Sequence, residues 1–196
     1  MVNCINNNKI LLGPSTFARL DQTPLNRLID KGYCVVENPY KRKLTKSELQ
    51  DLLSKDVVGL IAGLETLDRD ILSKTKLKVI SRCGSGMTNV DITAAHHLGI
   101  KVFSTPNGPT TAVAELTIGA LLSLLRMIPI MNQDLHNGQW KKRIGDQLEG
   151  KTVVIVGFGR IGYQVSKLLK SFNVTICVVD PYVDQTSIAF PVMELK

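Results

Sequence analysis

The chain has few aromatic residues, and its cysteines lack the spacing of a metal or redox motif. Phe, Trp and Tyr make up 5% of the 196 residues, which leaves no aromatic surface on which single-stranded nucleic acid could stack. The four cysteines form no C-x-x-C pair, so no metal site is predicted, and Cys34, Cys83 and Cys177 lie in apolar runs typical of buried residues. The H-E-x-x-H, G-x-S-x-G and Walker A patterns are also missing. These absences argue against a zinc peptidase, an α/β-hydrolase and a P-loop NTPase.

Long apolar segments are missing as well. The longest apolar run, residues 116–125, is too short to cross a bilayer. The polar residues 1–9 contain no apolar core of a signal peptide. We therefore expect a cytoplasmic protein that has no membrane partner.

Positive charge is in excess but is not concentrated. The net charge is +7, and the densest clusters are only residues 41–43 and 141–143. Scattered charge of this kind is typical of a solvated surface, and we expect no nucleic acid partner. A nucleic-acid-binding module is an alternative supported by charge alone, and it predicts an affinity that falls strongly with salt.

Short apolar runs alternate with helical patterns over the first half of the chain. Five runs predict strands, and four segments between them predict helices. Thr45 and Glu48 have the spacing of a capping box at the start of the second helix. The predicted strands are residues 10–12, 33–37, 57–62, 78–81 and 101–104, and the predicted helices are residues 24–31, 45–54, 68–73 and 91–97. This alternation predicts an α/β domain with a doubly wound parallel sheet.

The second half of the chain begins with a long apolar helix. The pattern predicts this helix over residues 110–126, an interruption at Pro129, and a polar continuation that ends at Gly138. We interpret it as a bridge between two domains. A strand, a helix and a second strand follow, over residues 151–156, 160–171 and 175–179. Two strands and one crossover helix are few for an independent sheet, so we expect the sequence to stop inside a domain.

A glycine-rich motif, Gly157-Phe158-Gly159-Arg160-Ile161-Gly162, joins the first of these strands to the helix. G-x-G-x-x-G in this position is the fingerprint of a Rossmann dinucleotide-binding fold. Gly157 permits a tight turn, Gly159 allows the pyrophosphate to approach the backbone, and Gly162 allows helix and strand to pack closely. The N–H groups around Arg160 and Ile161 begin the helix and favour an anion there. The Arg160 side chain itself either contacts the pyrophosphate or is a plain exposed arginine.

An acidic residue ends the second strand of this unit. Asp180 follows Gly162 by 18 residues, a position from which a carboxylate can bind both hydroxyls of the adenosine ribose. No Arg or Lys comes directly after it to receive a 2′-phosphate. The expected cofactor is therefore NAD and not NADP. The alternative is a βαβ unit whose glycines serve packing alone.

Several stretches together resemble one enzyme family. They are residues 79–91, 105–107, 112–116 and 138–140, together with the fingerprint. In order and spacing they resemble the D-isomer-specific 2-hydroxyacid dehydrogenases, and within that family the phosphoglycerate dehydrogenase branch. The resemblance covers nearly the whole chain.

The resemblance implies a division of the chain into two domains. Residues 1–107 would form a flavodoxin-like, parallel-sheet substrate domain, and residues 108–196 the bridging helix and the start of a Rossmann NAD-binding domain. Backbone N–H groups of Gly84, Ser85 and Gly86 would hold the substrate carboxylate, as a nest of N–H groups can. The alternative for these three residues is an ordinary strand-to-helix turn.

The start of the bridging helix carries a further implied cofactor contact. In the family a turn near Thr111 faces the cofactor, so Thr111 is a predicted cofactor-binding residue. Pro109 stands where the family usually has an asparagine. Glu115, one turn further on, is interpreted as an anchor for the helix.

The family's catalytic residues have no counterpart in this chain. They are an arginine that holds the substrate, a histidine that moves the hydroxyl proton and a glutamate that tunes the histidine, and all three would lie beyond residue 196. His96, His97 and His136 are interpreted as exposed or packed residues, so no catalytic residue is predicted here. The isolated chain is accordingly expected to be inactive.

The resemblance also implies the activity and partners of the parent enzyme. It would be a homodimer that interconverts a D-2-hydroxy acid and a 2-oxo acid with NAD, the hydroxy acid being 3-phosphoglycerate of serine biosynthesis. Arg82 and the excess of positive charge would suit such an anionic substrate, although Arg82 could equally be a surface residue. Leu116, Leu121 and Leu124 could supply an apolar face for the dimer or belong to the domain interior.

A non-catalytic protein on the same fold is the alternative function. Such a protein would bind NAD or a protein partner without carrying out the chemistry. Binding of NADH without reduction of 2-oxo acids would distinguish it from a dehydrogenase.

Overall fold

The computed structural model describes residues 8–193 of the chain. Of the polar N-terminal segment, residues 1–9, only the last two lie within the described part. The chain divides into two compact units with the boundary between Gly108 and Pro109. This boundary is one residue from the one that the sequence predicts.

Between residues 8 and 108 the first unit contains five strands and four helices in strict alternation. Every predicted element is present, with ends that differ by at most a few residues. The strands are β1 (Lys9–Leu12), β2 (Cys34–Glu37), β3 (Val57–Ala62), β4 (Val79–Arg82) and β5 (Lys101–Ser104), and the helices are α1 (Thr23–Asp30), α2 (Lys46–Leu53), α3 (Arg69–Leu72) and α4 (Ile92–His97).

The five strands form one parallel sheet in the order β2-β1-β3-β4-β5. This is the flavodoxin-like order, so the predicted fold class is confirmed. The direction of winding reverses between β1 and β3. In open parallel sheets, ligands bind beyond the carboxyl ends of the strands at such a reversal.

Polar side chains begin three of the helices in the first unit. Thr45 and Glu48 form the predicted capping box at α2, since the Thr45 hydroxyl accepts from the Glu48 N–H and the Glu48 carboxylate accepts from the Thr45 N–H. Asp68 and Asp91 accept the free N–H groups of α3 and α4 in the same way. These contacts satisfy donors that a helix start leaves unpaired.

The core of the first unit lies between its sheet and helices. Many of its side chains are almost fully buried, among them Leu11, Leu49, Leu53, Leu60, Ile71, Leu72 and Ile80. At about 25 cal/mol per Å² of apolar surface, burial of this kind is the main stabilising contribution to a small α/β unit. The core therefore gives the strand ends a firm support.

The second unit begins with two helices joined at a sharp bend. α5 (Thr110–Leu125) and α6 (Ile128–His136) are bent by 65°, and Met127 between them adopts a left-handed backbone conformation. The interruption that the sequence predicts at Pro129 lies instead at residues 126–127, and Pro129 is in the first turn of α6, where its missing N–H costs no helix hydrogen bond. Within residues 8–193 no single helix is long and apolar enough to span a membrane; only α5 and α6 taken together meet that criterion.

The rest of the second unit is a small βαβ arrangement. β6 (Thr152–Val156) pairs in parallel with β7 (Thr175–Val179), and α7 (Arg160–Leu169) connects them through a short 3-10 helix, Lys170–Phe172. Leu148, Val165, Leu169 and Val178 form the centre of its core, and Ile118, Leu121, Leu122 and Leu125 of α5 pack against them. Leu121 thus belongs in part to this interior, whereas Leu116 and Leu124 are exposed.

Candidate functional site

The fingerprint turn, residues 157–162, has the geometry that its glycines predict. Gly157 has φ +89°, a conformation that side chains disfavour. A Cβ on Gly162 would lie 2.2 Å from the Gly157 carbonyl oxygen, so only glycine fits where α7 approaches the turn. A Cβ on Gly159 would meet nothing within 4 Å, and the backbone there faces open space. The turn thus leaves room for a group to approach at Gly159.

The start of α7 presents unpaired N–H groups. Within residues 8–193, no acceptor takes the N–H of Gly159, Arg160 or Ile161. The N-terminal end of α7 also carries a partial positive charge from the aligned peptide dipoles. Unpaired donors and this charge together suit a phosphate. The Arg160 side chain is exposed and makes no ion pair with any described residue.

Asp180 lies at the carboxyl end of β7 beside this turn. One carboxylate oxygen accepts the Phe158 N–H at 2.7 Å, and the other accepts the Tyr182 N–H at 2.8 Å. The Phe158 hydrogen bond, followed by the Tyr182 hydrogen bond, lowers the pKa of Asp180 from its ordinary value. Each oxygen keeps a second lone pair, so the ionised carboxylate can still accept ribose hydroxyls.

A cavity of about 520 Å³ opens next to Asp180. Its other lining residues are Val179, Pro181, Val183, Gln185, Val192 and Met193. The lining is mostly apolar, and its members within residues 8–193 include no Lys or Arg that could bind a 2′-phosphate. These residues fit the adenosine part of NAD better than that of NADP.

The predicted carboxylate-binding turn, residues 84–86, follows β4. Gly84 has φ +141°, and its N–H donates to the Thr105 hydroxyl at 2.9 Å. The N–H groups of Ser85 and Gly86 have no acceptor among the described residues, and both residues are exposed. A pair of free N–H groups at a glycine turn can bind an anion.

Arg82 stabilises the chain next to this turn through hydrogen bonds. Its side chain is 8% exposed, so the alternative that Arg82 is a surface residue is wrong. Arg82 donates to the Asn89 side chain and to the Cys83 carbonyl oxygen, and Asn89 donates to the carbonyl oxygens of Gly63 and Glu65. The predicted burial of Cys83 is wrong, because the residue lies beyond the strand end and is exposed; Cys34 is buried and Cys177 partly buried.

The remaining sequence-predicted residues lie on helix surfaces. Thr111 is exposed in the first turn of α5 and its side chain makes no hydrogen bond with a described residue, and Pro109 precedes the helix without a side-chain cap. His96 and His97 are exposed at the end of α4. His136 is exposed too and contacts the Asn132 carbonyl oxygen. None of the three histidines belongs to the 84–86 turn or the fingerprint turn.

Sequence reasoning missed one buried charged residue, Glu65. It follows β3 and is 2% exposed, yet no motif includes it. Gly13 and Gly63 surround its carboxylate. The only signal in the sequence was a lone glutamate three residues after a buried strand, which is too weak to identify.

A family model matches most of the chain. Residues 16–189 match the model described as D-isomer specific 2-hydroxyacid dehydrogenase, catalytic domain. The human protein named D-3-phosphoglycerate dehydrogenase is 38% identical over 195 residues, which cover 97% of this chain and 35% of that protein. The hydroxypyruvate reductase of Thermotoga maritima is 32% identical over 179 residues, 90% of this chain and 58% of that protein. The chain thus spans about a third of the length of the first of these relatives.

A solved structure agrees with these matches. The structure of cofactor (NAD+)-bound 3-phosphoglycerate dehydrogenase from Entamoeba histolytica is similar with a TM-score of 0.73 and 27% identity, covering 97% of this chain and 57% of that one. The chain belongs to the D-isomer specific 2-hydroxyacid dehydrogenase family.

Proposed function

We propose that this chain supplies the NAD-binding turn and the substrate-carboxylate turn of an NAD-dependent D-2-hydroxyacid dehydrogenase. The observation that carries the proposal is the fingerprint turn. Its free N–H groups, the open backbone at Gly159 and the ionised Asp180 beside it combine the features that a dinucleotide requires.

Two parts of the cofactor, the pyrophosphate and the adenosine ribose, have a matching group in the second unit. The N–H groups of Gly159, Arg160 and Ile161 bind the pyrophosphate, and Asp180 binds the ribose hydroxyls. NAD, when bound, supplies the acceptor for a hydride from the substrate carbon. Thr111 and the Arg160 side chain are proposed as further contacts, since both are exposed.

The substrate carboxylate binds to the turn of residues 84–86. Ser85 and Gly86 donate their N–H groups, while Arg82 adds positive charge beneath the turn. A fixed carboxylate orients the neighbouring carbon for hydride transfer. These residues bind and orient the substrate, and none of them acts as the base.

The substrate that we propose is 3-phosphoglycerate. Support comes from the 38% identity with the human protein named D-3-phosphoglycerate dehydrogenase. The relative named hydroxypyruvate reductase, at 32% identity, indicates a second three-carbon acid that lacks the phosphate. Both are small anions, which suits a turn built to bind a carboxylate. By the same reasoning we propose a cytoplasmic enzyme of serine biosynthesis that acts as a homodimer.

The non-catalytic alternative makes a different prediction, and one pair of measurements separates the two. NADH binding to the 196-residue chain is followed by fluorescence, and NADH consumption is followed by absorbance with hydroxypyruvate or its phosphate as substrate. We expect binding without consumption by this chain, because its histidines lie on helix surfaces, and consumption by the longer protein that carries the family's histidine. Binding without consumption by that longer protein would establish the non-catalytic function. Absence of NADH binding to either protein would contradict the proposal.

A further inference from the structure

A second cavity lies within the first unit at the point where the winding of the sheet reverses. It has a volume of about 300 Å³ and is lined by Gly13, Pro14, Ser15, Thr16, Lys43, Gly63, Leu64, Glu65, Arg82 and Cys83. These residues follow the carboxyl ends of β1, β3 and β4, apart from Lys43. General rules for parallel sheets place a ligand at this point. We call this space the Glu65 cavity.

Glu65 is the most unusual residue of the cavity. Its side chain is 2% exposed, and one carboxylate oxygen accepts the Gly63 N–H at 2.6 Å. The other oxygen, Oε1, accepts no hydrogen bond within residues 8–193, and no cation of that part of the chain forms an ion pair with it. No side-chain oxygen of the described residues is both buried from solvent and without a hydrogen-bond partner, so Oε1 faces the cavity, where a donor of a ligand can reach it.

The surroundings of Glu65 are built to keep its carboxylate in place. A Cβ on Gly13 would lie 3.0 Å from Oε2, and a Cβ on Gly63 would lie 3.1 Å from Oε1. Neither glycine has a positive φ, so their backbone conformation does not require glycine. A side chain at either position would crowd the carboxylate, so the two glycines leave the space that the carboxylate occupies. Asn89 fixes the same loop by donating to the Glu65 carbonyl oxygen at 2.7 Å.

The cavity is continuous along the chain with the turn of residues 84–86. Its lining ends at Cys83, one residue before Gly84, and Arg82 contributes to both. The Arg82 guanidinium lies within 3.3 Å of the position of a Cβ on Gly84 and also lines the cavity, so the turn and the cavity are neighbours in space. The third carbon of an acid whose carboxylate is bound at Ser85 and Gly86 is therefore placed toward Glu65. A hydroxyl on that carbon can donate to Oε1, whereas a phosphate there can donate only when protonated and otherwise repels the carboxylate.

We propose that Glu65 is a specificity-determining residue that favours a free hydroxyl on the third carbon, so that this site accepts D-glycerate as well as 3-phosphoglycerate. The proposal rests on the proposed function, because it places the acid's carboxylate at the 84–86 turn. Lys43 and Arg82 line the same cavity and compensate in part for the Glu65 charge when the phosphorylated acid binds. Glu65 thereby sets the ratio of the affinities for D-glycerate and 3-phosphoglycerate.

The test measures binding of both acids to the 196-residue chain by amide NMR. D-glycerate and 3-phospho-D-glycerate are titrated separately, and the dissociation constants are compared for the wild-type chain and Glu65→Gln. The Gly63 amide reports on the Glu65 carboxylate, and the Ser85 and Gly86 amides report on the carboxylate-binding turn. Glu37→Gln is the matched control, since it removes the same charge from an exposed residue that does not line the cavity.

In the wild-type chain, D-glycerate should shift the Gly63 amide signal. Glu65→Gln should weaken D-glycerate about tenfold relative to 3-phosphoglycerate, the size expected for one hydrogen bond to a charged group. Glu37→Gln should leave the ratio unchanged. The Gly63 shift in the wild-type chain is a second readout that does not depend on the variant folding.

Two results would overturn the inference in different ways. If both acids shift Ser85 and Gly86 but the ratio is the same in Glu65→Gln and wild type, the role of Glu65 is wrong while the carboxylate-binding turn stands. If neither acid shifts the Ser85 and Gly86 signals but D-glycerate shifts the Gly63 signal, the proposed carboxylate-binding role of the 84–86 turn is wrong. Recognition of the hydroxyl by Glu65 then still stands. If neither acid shifts the Gly63 signal or the Ser85 and Gly86 signals, both proposals are wrong.

Discussion

The two units of this chain use the same βα rules but differ in how much of their apolar surface they bury. In the first unit five strands enclose a core in which Leu60 and Ile80 are 1% and 0% exposed. In the second unit two strands carry an equally apolar sequence, yet Val154 is 49% and Val156 69% exposed. Strand sequence alone therefore does not determine burial, because each strand also needs neighbours.

The difference extends to the two candidate binding turns. The 84–86 turn is stabilised by polar side chains, since the buried Arg82 donates to the partly buried Asn89 and to the Cys83 carbonyl oxygen. The fingerprint turn depends instead on backbone geometry and on one carboxylate, Asp180. We expect substitutions in the first unit to change stability through core packing. Substitutions in the second unit should change stability or cofactor binding through the fingerprint turn.

The largest effect is expected from removing a core side chain of the first unit. Leu60→Ala should lower the free energy of unfolding by about 2–5 kcal/mol, because it leaves a cavity at a fully packed position. Val156→Ala in β6, an exposed strand position, should change it by no more than about 0.5 kcal/mol. Urea unfolding followed by circular dichroism measures both, and equal losses would contradict the difference in packing.

A smaller loss is expected at the fingerprint turn. Gly162→Ala should destabilise the second unit by about 1–3 kcal/mol, because the new Cβ would meet the Gly157 carbonyl oxygen and force the backbone to move. Gly159→Ala is the control, since its Cβ would enter open space and its φ of −73° is acceptable to any residue. Thermal unfolding of both variants tests the contrast, which would be wrong if they lost equal stability.

Asp180 is expected to affect cofactor choice more than stability. Asp180→Asn should lower the affinity for NADH about tenfold, because the ribose hydroxyls lose a charged acceptor. The affinity for NADH should then be closer to the affinity for NADPH. Asp184→Asn, which changes an exposed carboxylate four residues on, should leave the preference for NADH intact. Calorimetric titration with the two cofactors gives the ratio. A preference for NADH that survives in Asp180→Asn would contradict the assignment.

The smallest effect is a pH dependence confined to the first unit. Arg42, through its side-chain hydrogen bonds, and then the Thr45 N–H lower the pKa of Glu48 from 4.5 to about 2. A lowered pKa means that the stabilisation is complete above the unfolded-state value and is lost as the pH falls toward about 2. The stability difference between wild type and Glu48→Gln should therefore shrink from pH 5 to pH 2. A difference that stays constant over this range would contradict the role of the Glu48 charge.

Local signals in the sequence were sufficient for most of the fold. Strand runs such as Val57–Ala62 and Thr175–Val179 were predicted to the residue, and so was the capping box at Thr45, because these features depend on neighbouring residues. The burial of β6 could not be predicted, since it depends on which strands lie beside it. The same holds for Cys83, which follows an apolar strand but lies beyond its end.

The candidate site was predictable only where it has a motif. Gly157, Gly159 and Gly162 are recognised by their spacing, and the structure adds the physical reason that a Cβ on Gly162 has no room. Glu65 has no spacing that distinguishes it, because its partners Gly13 and Asn89 are distant in the chain. Such a residue becomes visible only when the sheet brings three strand ends together.

Binding of NAD at the fingerprint turn can be followed residue by residue in an amide NMR titration of the chain with NADH. We expect saturable shifts of the Gly159, Arg160 and Ile161 signals, and their loss in Gly159→Val, whose side chain would occupy the space through which the pyrophosphate approaches. Gly119→Val, at an equally open position of α5, should leave the titration unchanged. NADH shifts that bypass these three amides, or that persist in Gly159→Val, would contradict the account.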